Sequence, residues 1–322
     1  MEPTTLQEAI LYFESPDNCR DYLVARRWPN GVTCPRCGGK KVLFQAKYNR
    51  WQCGSKHALR QFTAKTGTIF EDSPLGLDKW LTAIWQVVNC KNGVSSYEIH
   101  RAIKVTQKTA WFMDHRIRLA LGMATPEKLT GTVEADETVV GGKMGNMHLD
   151  KRTRIRMGKR RTGGFEGKAM VAGLLERHGR ARVKVLPNNR AFHVRTNIIE
   201  NVEKGSVIYS DALRSYRNVP VDGFIHEFID HSEAYVRGQV HTQGLENFWS
   251  LLKRAIKGTY VSVEPFHLQA YCDEQTFRFN NRKMTDAERF STAVSGIVGK
   301  RITFDELTGK DQPEWRLGQP EA

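Results

Sequence analysis

The chain has 322 residues, of which 49 are Lys or Arg and 35 are Asp or Glu, so its net charge is +14 at neutral pH. With 40% hydrophobic residues, this length is ample for a hydrophobic core and argues against a disordered chain. No run of about 18 apolar residues is present, which excludes a membrane-spanning helix, and the N-terminal segment lacks the apolar core of a secretory signal, so we expect a cytoplasmic protein.

The positive charge indicates an anionic partner, for which DNA or RNA is the commonest choice. A basic, solvated surface without a partner is the alternative. Motifs for a nucleotide cofactor or a common hydrolase site (a Walker loop, GxGxxG, GxSxG, HExxH) are missing from the sequence. The charge therefore favours nucleic-acid chemistry that needs no nucleotide cofactor.

Residues 1–29 are predicted to hold two short helices, the second beginning at Ser15-Pro16. Residues 30–72 are rich in Gly, Pro, Cys and aromatic residues and are predicted to form a small ribbon. A CxxC pair and a CxxxH pair lie within this ribbon and fit a closed, structural zinc site. The four predicted zinc ligands are Cys34, Cys37, Cys53 and His57.

Residues 73–125 have helical periodicity and are predicted to be a helix-turn-helix-like DNA-binding domain. The break at KVT precedes a helix that Thr106 would cap, and Thr106, Gln107 and Lys108 would face DNA. Trp111 and Phe112 also allow the alternative of a packed helical spacer between the ribbon and a catalytic domain.

Residues 130–282 alternate strand-like and helix-like segments and carry three acidic residues of interest. Asp136 lies on the first predicted strand, Asp211 ends the strand VIYSD, and Glu246 lies near the start of a helix. Three such carboxylates can hold a pair of Mg²⁺ or Mn²⁺ ions for phosphodiester chemistry. Glu134 and Glu137 are competing candidates, of which Glu134 shares a strand face with Asp136.

The predicted helix LENFWSLLKR separates polar from apolar residues. At 100° per residue, Glu246, Ser250, Lys253 and Lys257 form one stripe. The opposite face would be buried in the core. It carries Phe248, Trp249, Leu252, Ala255 and Ile256.

Segment 144–166 is rich in Arg, Lys and Gly and is predicted to be an exposed, mobile basic loop. We expect this loop and the basic residues of the late helix to contact DNA phosphates. The residues concerned are Arg154, Arg156, Lys159, Arg160, Arg161, Arg254 and Lys257. Residues 283–322 are treated as a C-terminal tail without a predicted structure.

Several segments together resemble the ISXO-type insertion-sequence transposases. They are CPRCGGKKV, RQFTAKTGTIFEDSPLGLDKWLTAIW, TQKTAWFMDHRIRLAL, VEADETVVGGK, YSDALRSY and HTQGLENFWSLLKRAIKGTY with FRFNNR. The resemblance implies a multidomain protein with an N-terminal zinc ribbon and an α/β RNase H-like domain of the DDE type. It further implies strand cleavage at the element ends, strand transfer to double-stranded target DNA, and a homo-oligomer in a synaptic complex.

The resemblance assigns Asp136, Asp211 and Glu246 as the catalytic carboxylates and Lys253 as the basic residue seven positions after the last. Asn247 is the alternative third residue, because some family members are described with Asn there. Three other functions remain open: a metal-dependent nuclease that does not join strands, an inactive or repurposed DNA-binding protein, and an enzyme acting on RNA.

Overall fold

The computed structural model of the protein describes residues 2–122, 127–142, 148–157, 168–188, 190–211, 216, 222–229 and 241–310. These residues form two compact units. The first comprises the described parts of Met1–Met123 and Asn281–Ala322, and the second those of Ala124–Asn280. Within the described ranges, no helix is both long and apolar enough to cross a bilayer.

The first unit begins with the two expected helices. Thr5 caps the first in a capping box with Glu8, and Ser15 caps the second, which has Pro at its first position. A three-stranded antiparallel sheet follows, in the order β1-β2-β3, and confirms the predicted ribbon. The elements are α1 (Leu6–Phe13), α2 (Pro16–Arg27), β1 (Val42–Gln45), β2 (Arg50–Cys53) and β3 (Gln61–Phe62).

Three helices complete this part of the unit: α3 (Leu77–Asn89), α4 (Ser96–Ile103) and α5 (Gln107–Leu121). Lys104 ends α4 in the left-handed conformation, with φ of 52°, and Thr106 caps α5 through the backbone N–H of Thr109. The tight turn and the cap that the sequence predicts are therefore present. α3 is the central helix, since Trp80 and Trp85 are both 2% exposed.

The second unit is built on one five-stranded sheet with the strand order β6-β5-β4-β7-β8. The strands are β4 (Thr132–Val140), β5 (Ala169–Glu176), β6 (Ala181–Leu186), β7 (Val207–Asp211) and β8 (Ile225–Ile229). β4, β5 and β6 are antiparallel neighbours, whereas β7 and β8 continue the sheet in parallel with β4. This mixed sheet is consistent with the expected RNase H-like domain.

The helices of the second unit are α6 (Leu149–Met157), α7 (Ala191–Asn201), α8 (Gln243–Arg254) and α9 (Leu268–Asn280). Of these, α7, α8 and α9 cover the two faces of the sheet. α7 buries Val194 and Ile198 against one face, where β4 contributes Val133 and Ala135. The opposite face packs against α8 and α9, through residues that include Val171, Leu245, Phe248, Leu252 and Leu268.

The basic segment 144–166 is not a loop throughout, because α6 lies within it. Residues 149–157 contain no Gly or Pro, and Asp150 in the first turn favours a helix start. The side chains of Arg154 and Arg156, and the whole of Lys159, Arg160 and Arg161, lie outside the described part of the chain. Their predicted contacts with phosphate therefore stay predictions.

After α9 the chain returns to the first unit with α10 (Asp286–Ser295) and α11 (Phe304–Thr308). α10 packs against α3, and the rings of Phe290 and Trp85 lie 4.9 Å apart. Thr285 forms a capping box with Glu288 at the start of α10. A large part of the segment for which the sequence predicted no structure thus belongs to the helical core.

Candidate active site and zinc cluster

Asp136 and Asp211 lie on neighbouring parallel strands. β4 and β7 pair with Glu134 opposite Tyr209, and two residues further along the same register Asp136 comes beside Asp211, the last residue of β7. The carboxyl ends of parallel strands are where open α/β sheets place their ligands. The sheet therefore brings the two predicted aspartates together.

Glu246 joins this pair from the first turn of α8. Burial raises the pKa of Asp136 to about 6, and the negative charges of Asp211 and Glu246 raise it as well. Asp211 and Glu246 therefore both lie close enough to Asp136 for their charges to act on it. The carboxylates lie further apart than the zinc ligands. Among the described residues, the zinc ligands are the group whose ligand atoms all lie within 4.8 Å of one another.

Trp249 holds Asp136 from α8. Its indole N–H donates a hydrogen bond to Asp136 Oδ2 at 2.8 Å, and the side chain is 5% exposed. Gly173 lies directly across from Asp136 on β5, and a Cβ there would stand 2.7 Å from the Trp249 ring. An isolated Gly inside a strand is a known sign of such a close approach, so the strand AMVAGLLE carried a signal that sequence reasoning did not use.

Glu134 has a different role from Asp136, although both lie on the same face of β4. It is 3% exposed, and its Oε2 accepts a hydrogen bond from the backbone N–H of Leu245 at 3.1 Å. His241 and Arg177 each approach its other oxygen to 3.7 Å. Glu134 thus caps the N-terminus of α8, which favours Asp136 as the metal-ligand candidate.

Glu137 lies on the other side of β4 and accepts a hydrogen bond from the Tyr216 hydroxyl at 2.8 Å. Burial raises the pKa of Glu137 to about 8, with further contributions from the charges of Asp136 and Asp211. Tyr216 is 1% exposed and belongs to the segment YSDALRSY. Glu137 is therefore a half-buried neighbour of the carboxylate pair with a hydrogen-bond partner of its own.

The two faces of α8 agree with the angular prediction. Glu246, Asn247 and Ser250 are exposed, Lys253 is half-buried, and Arg254 is exposed. Lys257 is exposed in the π-helical turn at Ala255–Tyr260 that continues the helix. The predicted apolar face is buried throughout and comprises Phe248, Trp249, Leu252, Ala255 and Ile256.

The predicted zinc ligands converge in the first unit. The ligand atoms of Cys34, Cys37, Cys53 and His57 all lie within 4.8 Å of one another. Cys34 Sγ is 3.6 Å from His57 Nε2, and Cys37 Sγ is 3.6 Å from Cys53 Sγ. These separations suit a tetrahedral ion with S and N ligands.

The chemistry around the cluster also suits a metal. The His57 imidazole lowers the pKa of the Cys53 thiol to about 6, so that thiol readily becomes a thiolate ligand. His57 Nδ1 lies 2.6 Å from the carbonyl oxygen of Ala58, which orients the ring so that Nε2 points to the cysteines. A Cys₃His cluster in a zinc-ribbon domain supports a structural zinc ion.

The predicted DNA-facing turn of α5 is partly engaged within its own unit. Thr106 is the cap, Gln107 donates to the Ser96 hydroxyl at 2.9 Å, and Lys108 lies 4.5 Å from the centre of the Phe304 ring. Thr106 and Lys108 are nevertheless exposed. From Ala110 to Leu121 the helix has no exposed residue, in accord with the packing that Trp111 and Phe112 indicated.

Two family profiles match the chain. The ISXO2-like transposase domain matches residues 128–280, and the transposase zinc-ribbon domain matches residues 14–55. The first match covers the five-stranded sheet with its three carboxylates. The second covers the three cysteines and ends before His57, which the structure adds to the cluster.

Two relatives carry names from transposable elements. One is an uncharacterized protein in the transposable element ISH50 of Halobacterium salinarum, 28% identical over 253 residues that cover 76% of this chain and 84% of that protein. The other is an uncharacterized transposase-like protein of Haemophilus influenzae, 31% identical over 100 residues that cover 31% of this chain and 80% of that protein. With its zinc-ribbon and carboxylate-bearing domains, the chain belongs to the ISXO2-like transposase family.

Proposed function

We propose that the protein is a DNA transposase that binds the ends of its insertion sequence, cleaves a strand there and joins the freed end to target DNA. The observation that carries this proposal is the arrangement of three carboxylates: Asp136 and Asp211 lie on the neighbouring strands β4 and β7, and Glu246 lies on the first turn of α8, close enough for its charge to act on Asp136. Two carboxylates on neighbouring strands of a mixed sheet and a third on an adjacent helix, in a transposase family, favour phosphodiester chemistry over a binding role alone.

The donor set fits hard divalent cations, because all three groups offer carboxylate oxygens. Asp136, Asp211 and Glu246 would hold Mg²⁺ or Mn²⁺, which supplies activation of the attacking oxygen and stabilisation of the leaving one. Trp249 orients Asp136 through the indole N–H, and Glu134 orients the first turn of α8. The protein thereby fixes its carboxylates before the substrate arrives.

The proposed reaction has two steps. In the first, water attacks the phosphorus at the element end and gives up a proton, the P–O3′ bond breaks, and the 3′ oxygen takes up a proton and leaves as a hydroxyl. In the second, that 3′ hydroxyl loses its proton and attacks a target phosphodiester, and the displaced target 3′ oxygen takes up a proton. Lys253, seven residues after Glu246 and half-buried, would position the attacked phosphate.

DNA would be held by parts of both units. The exposed basic residues Arg254, at the end of α8, and Lys257, in the turn after it, would contact phosphates. The basic segment would contribute further contacts through Arg154, Arg156, Lys159, Arg160 and Arg161. The ribbon and the first turn of α5, with Thr106, Gln107 and Lys108, would contact the element end. We expect a homo-oligomer that pairs two ends, acting in the cytoplasm, where the thiols stay reduced.

Glu246 is the proposed third carboxylate, and Asn247 is the matched control beside it. Both are exposed on α8, but only Glu246 brings a charge to Asp136, and a carboxylate binds Mg²⁺ better than an amide. The test incubates the protein with Mg²⁺, a labelled duplex carrying its own element end, and a target plasmid. Glu246→Gln should lose cleavage and joining, whereas Asn247→Ala should retain both.

Each other result has a distinct meaning. Loss in Asn247→Ala alone would move the catalytic position by one residue. Cleavage by the wild-type chain without joining would favour a nuclease, and binding without cleavage would favour a DNA-binding descendant of a transposase. Preference for RNA over DNA in competition at a stated salt concentration would overturn the choice of substrate.

A further inference from the structure

The burial of α5 limits how the helical part of the first unit can meet DNA. A recognition helix in the major groove contacts base edges through exposed side chains, chiefly those at its N-terminal end. In α5 only Lys108 is exposed, and every residue from Ala110 to Leu121 is buried or half-buried. DNA contact by α5 is therefore confined to its first turn, at the tip where α4 leads into α5.

An open groove of about 590 Å³ lies at this tip. Its walls come from three helices of the same unit. α3 contributes Leu75 (just before it) and Lys79, the end of α4 contributes His100, Arg101 and Lys104, and the start of α5 contributes Val105, Thr106 and Thr109. Arg101 and Lys104 are exposed, and no carboxylate lines the groove.

The geometry of the turn keeps these cations directed to solvent. Lys104 adopts φ of 52°, and its carbonyl oxygen accepts a 3.5 Å hydrogen bond from Lys79 Nζ. His100 Nδ1 contacts the carbonyl oxygen of Val105. The nearest acidic side chain on α4, Glu98, accepts hydrogen bonds from Ser95 in the capping box at the other end of that helix. The groove thus keeps its positive charge.

Resting on the proposed function, we propose that this groove, defined by Lys79, Arg101 and Lys104, holds phosphates of the DNA backbone. Arg and Lys on an open surface bind phosphate oxygens irrespective of the base, so the tip adds affinity and register but does not read sequence. Base recognition at the element end would then come from another part of the protein.

The test compares two variants that each remove two positive charges from the full-length protein. Arg101→Gln/Lys104→Asn empties the groove of its exposed cations, and Asn tolerates the left-handed backbone at position 104. Lys91→Gln/Lys283→Gln removes two exposed lysines elsewhere in the same unit. Lys91 follows the C-terminal end of α3, whereas Lys79 lies in its first turn, and neither Lys91 nor Lys283 lines the groove.

Binding is measured by fluorescence anisotropy over a series of salt concentrations, without added divalent metal, on two duplexes of equal length. One carries the element end and the other a scrambled sequence. The groove variant should lose affinity by the same factor on both duplexes, and its plot of log K against log salt should become shallower by roughly 1 to 2. The control variant should lose less and keep a slope closer to wild type.

Four results would overturn the proposal. Equal behaviour of the two variants would show that the groove holds no phosphate. A loss confined to the element end would show that the tip reads bases instead. If the wild-type chain bound neither duplex, the DNA-binding part of the proposed function would fail and the groove with it; wild-type binding with an unaffected groove variant would overturn the groove alone. Lys104→Asn by itself serves as a second variant if the double substitution lowers the melting temperature.

Discussion

Glu134 on β4 accepts a hydrogen bond at 3.1 Å from the backbone N–H of Leu245, one residue before the proposed ligand Glu246. The N-cap residue of α8, Thr242, makes no side-chain capping bond, so the strand carboxylate replaces the usual cap. Gly244 permits the approach, because a Cβ there would lie 2.8 Å from Glu134 Oε2. The backbone position of Glu246 is therefore set by a residue on the strand that carries Asp136.

Replacing Glu134 separates its capping role from its charge. Glu134→Ala removes the acceptor from a buried N–H, which should lower the free energy of unfolding by about 1–3 kcal/mol and reduce cleavage. Glu134→Gln keeps an oxygen acceptor and should lose less of both. Denaturant unfolding and the cleavage rate measure the two effects. If Gln and Ala were equally impaired, the charge of Glu134, and not the cap, would be what matters.

The indole of Trp249 should tune the pH dependence of cleavage. Its hydrogen bond lowers the pKa of Asp136, in opposition to the larger effect of burial. Trp249→Phe keeps an aromatic ring but removes the donor, so the pKa of Asp136 should rise further and the acidic limb of the rate profile should move to higher pH. Trp85→Phe, the same change in a buried residue of the first unit, should leave that limb in place.

Gly173→Ala tests the close approach behind that hydrogen bond. The added Cβ would stand 2.7 Å from Trp249 and 2.8 Å from Leu245, so α8 must shift away from β5. We expect a loss of about 1–3 kcal/mol in stability, together with slower cleavage. Gly142→Ala is the matched control, since a Cβ there meets no atom within 4 Å. Equal thermal stability of the two variants would contradict the packing described here.

Local patterns were enough to predict the faces of β4 and α8 on which the candidate residues lie. Strand alternation predicted that Glu134 and Asp136 share one face of β4. The 3.6-residue period predicted that Glu246 lies on the polar face of α8, opposite the apolar face that carries Trp249. The partners of these residues depend on which segments meet after folding. Gly173 lies opposite Asp136 only because β5 pairs with β4 in one particular register, and that register is not encoded within either strand alone.

In the first unit, too, the sequence predicted local structure but not the packing between segments. The sequence predicted α5 and its cap at Thr106 correctly, because both depend on neighbouring residues. Its burial depends on packing against other segments, including α3 and α10, and α10 comes from a region with no predicted structure. The helix-turn-helix pattern therefore indicated a recognition helix, whereas in the structure only the first turn of α5 is exposed.

Asp136→Asn should stabilise the metal-free protein at neutral pH. In the folded protein the pKa of Asp136 is raised from its ordinary value of 3.8 to about 6. The folded state therefore binds this proton more tightly than the unfolded chain does. The free energy of unfolding therefore falls as the pH rises from 3.8 to about 6. Above that range, the loss reaches its full value of about 3 kcal/mol.

Thermal unfolding at pH 4 and pH 7.5 measures this effect. Asn keeps an acceptor for the Trp249 indole but carries no charge, so the variant should gain stability over wild type at pH 7.5 and little at pH 4. Added Mg²⁺ should stabilise the wild-type protein and leave the variant nearly unchanged. An Asp136→Asn variant that is less stable at pH 7.5 would show that burial of the charge is not a significant strain.

The fourth zinc ligand gives the sharpest test of the ribbon. His57→Ala should lose zinc, measured as metal content per chain, and should unfold the sheet of β1, β2 and β3, since so small a module has little apolar core of its own. His57→Cys should retain the metal, because a fourth thiolate completes an equally suitable tetrahedral site. Cys90→Ser removes an exposed cysteine that is not part of the cluster and should keep full zinc content.

The three variants separate ligation from general damage. Loss of zinc in His57→Ala with retention in His57→Cys requires a ligand atom at this position, whatever its element. Full zinc content in His57→Ala would mean that Cys34, Cys37 and Cys53 hold the ion with a water or an external group. In that case the 3.6 Å approach of His57 Nε2 to Cys34 Sγ would reflect a hydrogen bond between the two side chains and not shared coordination.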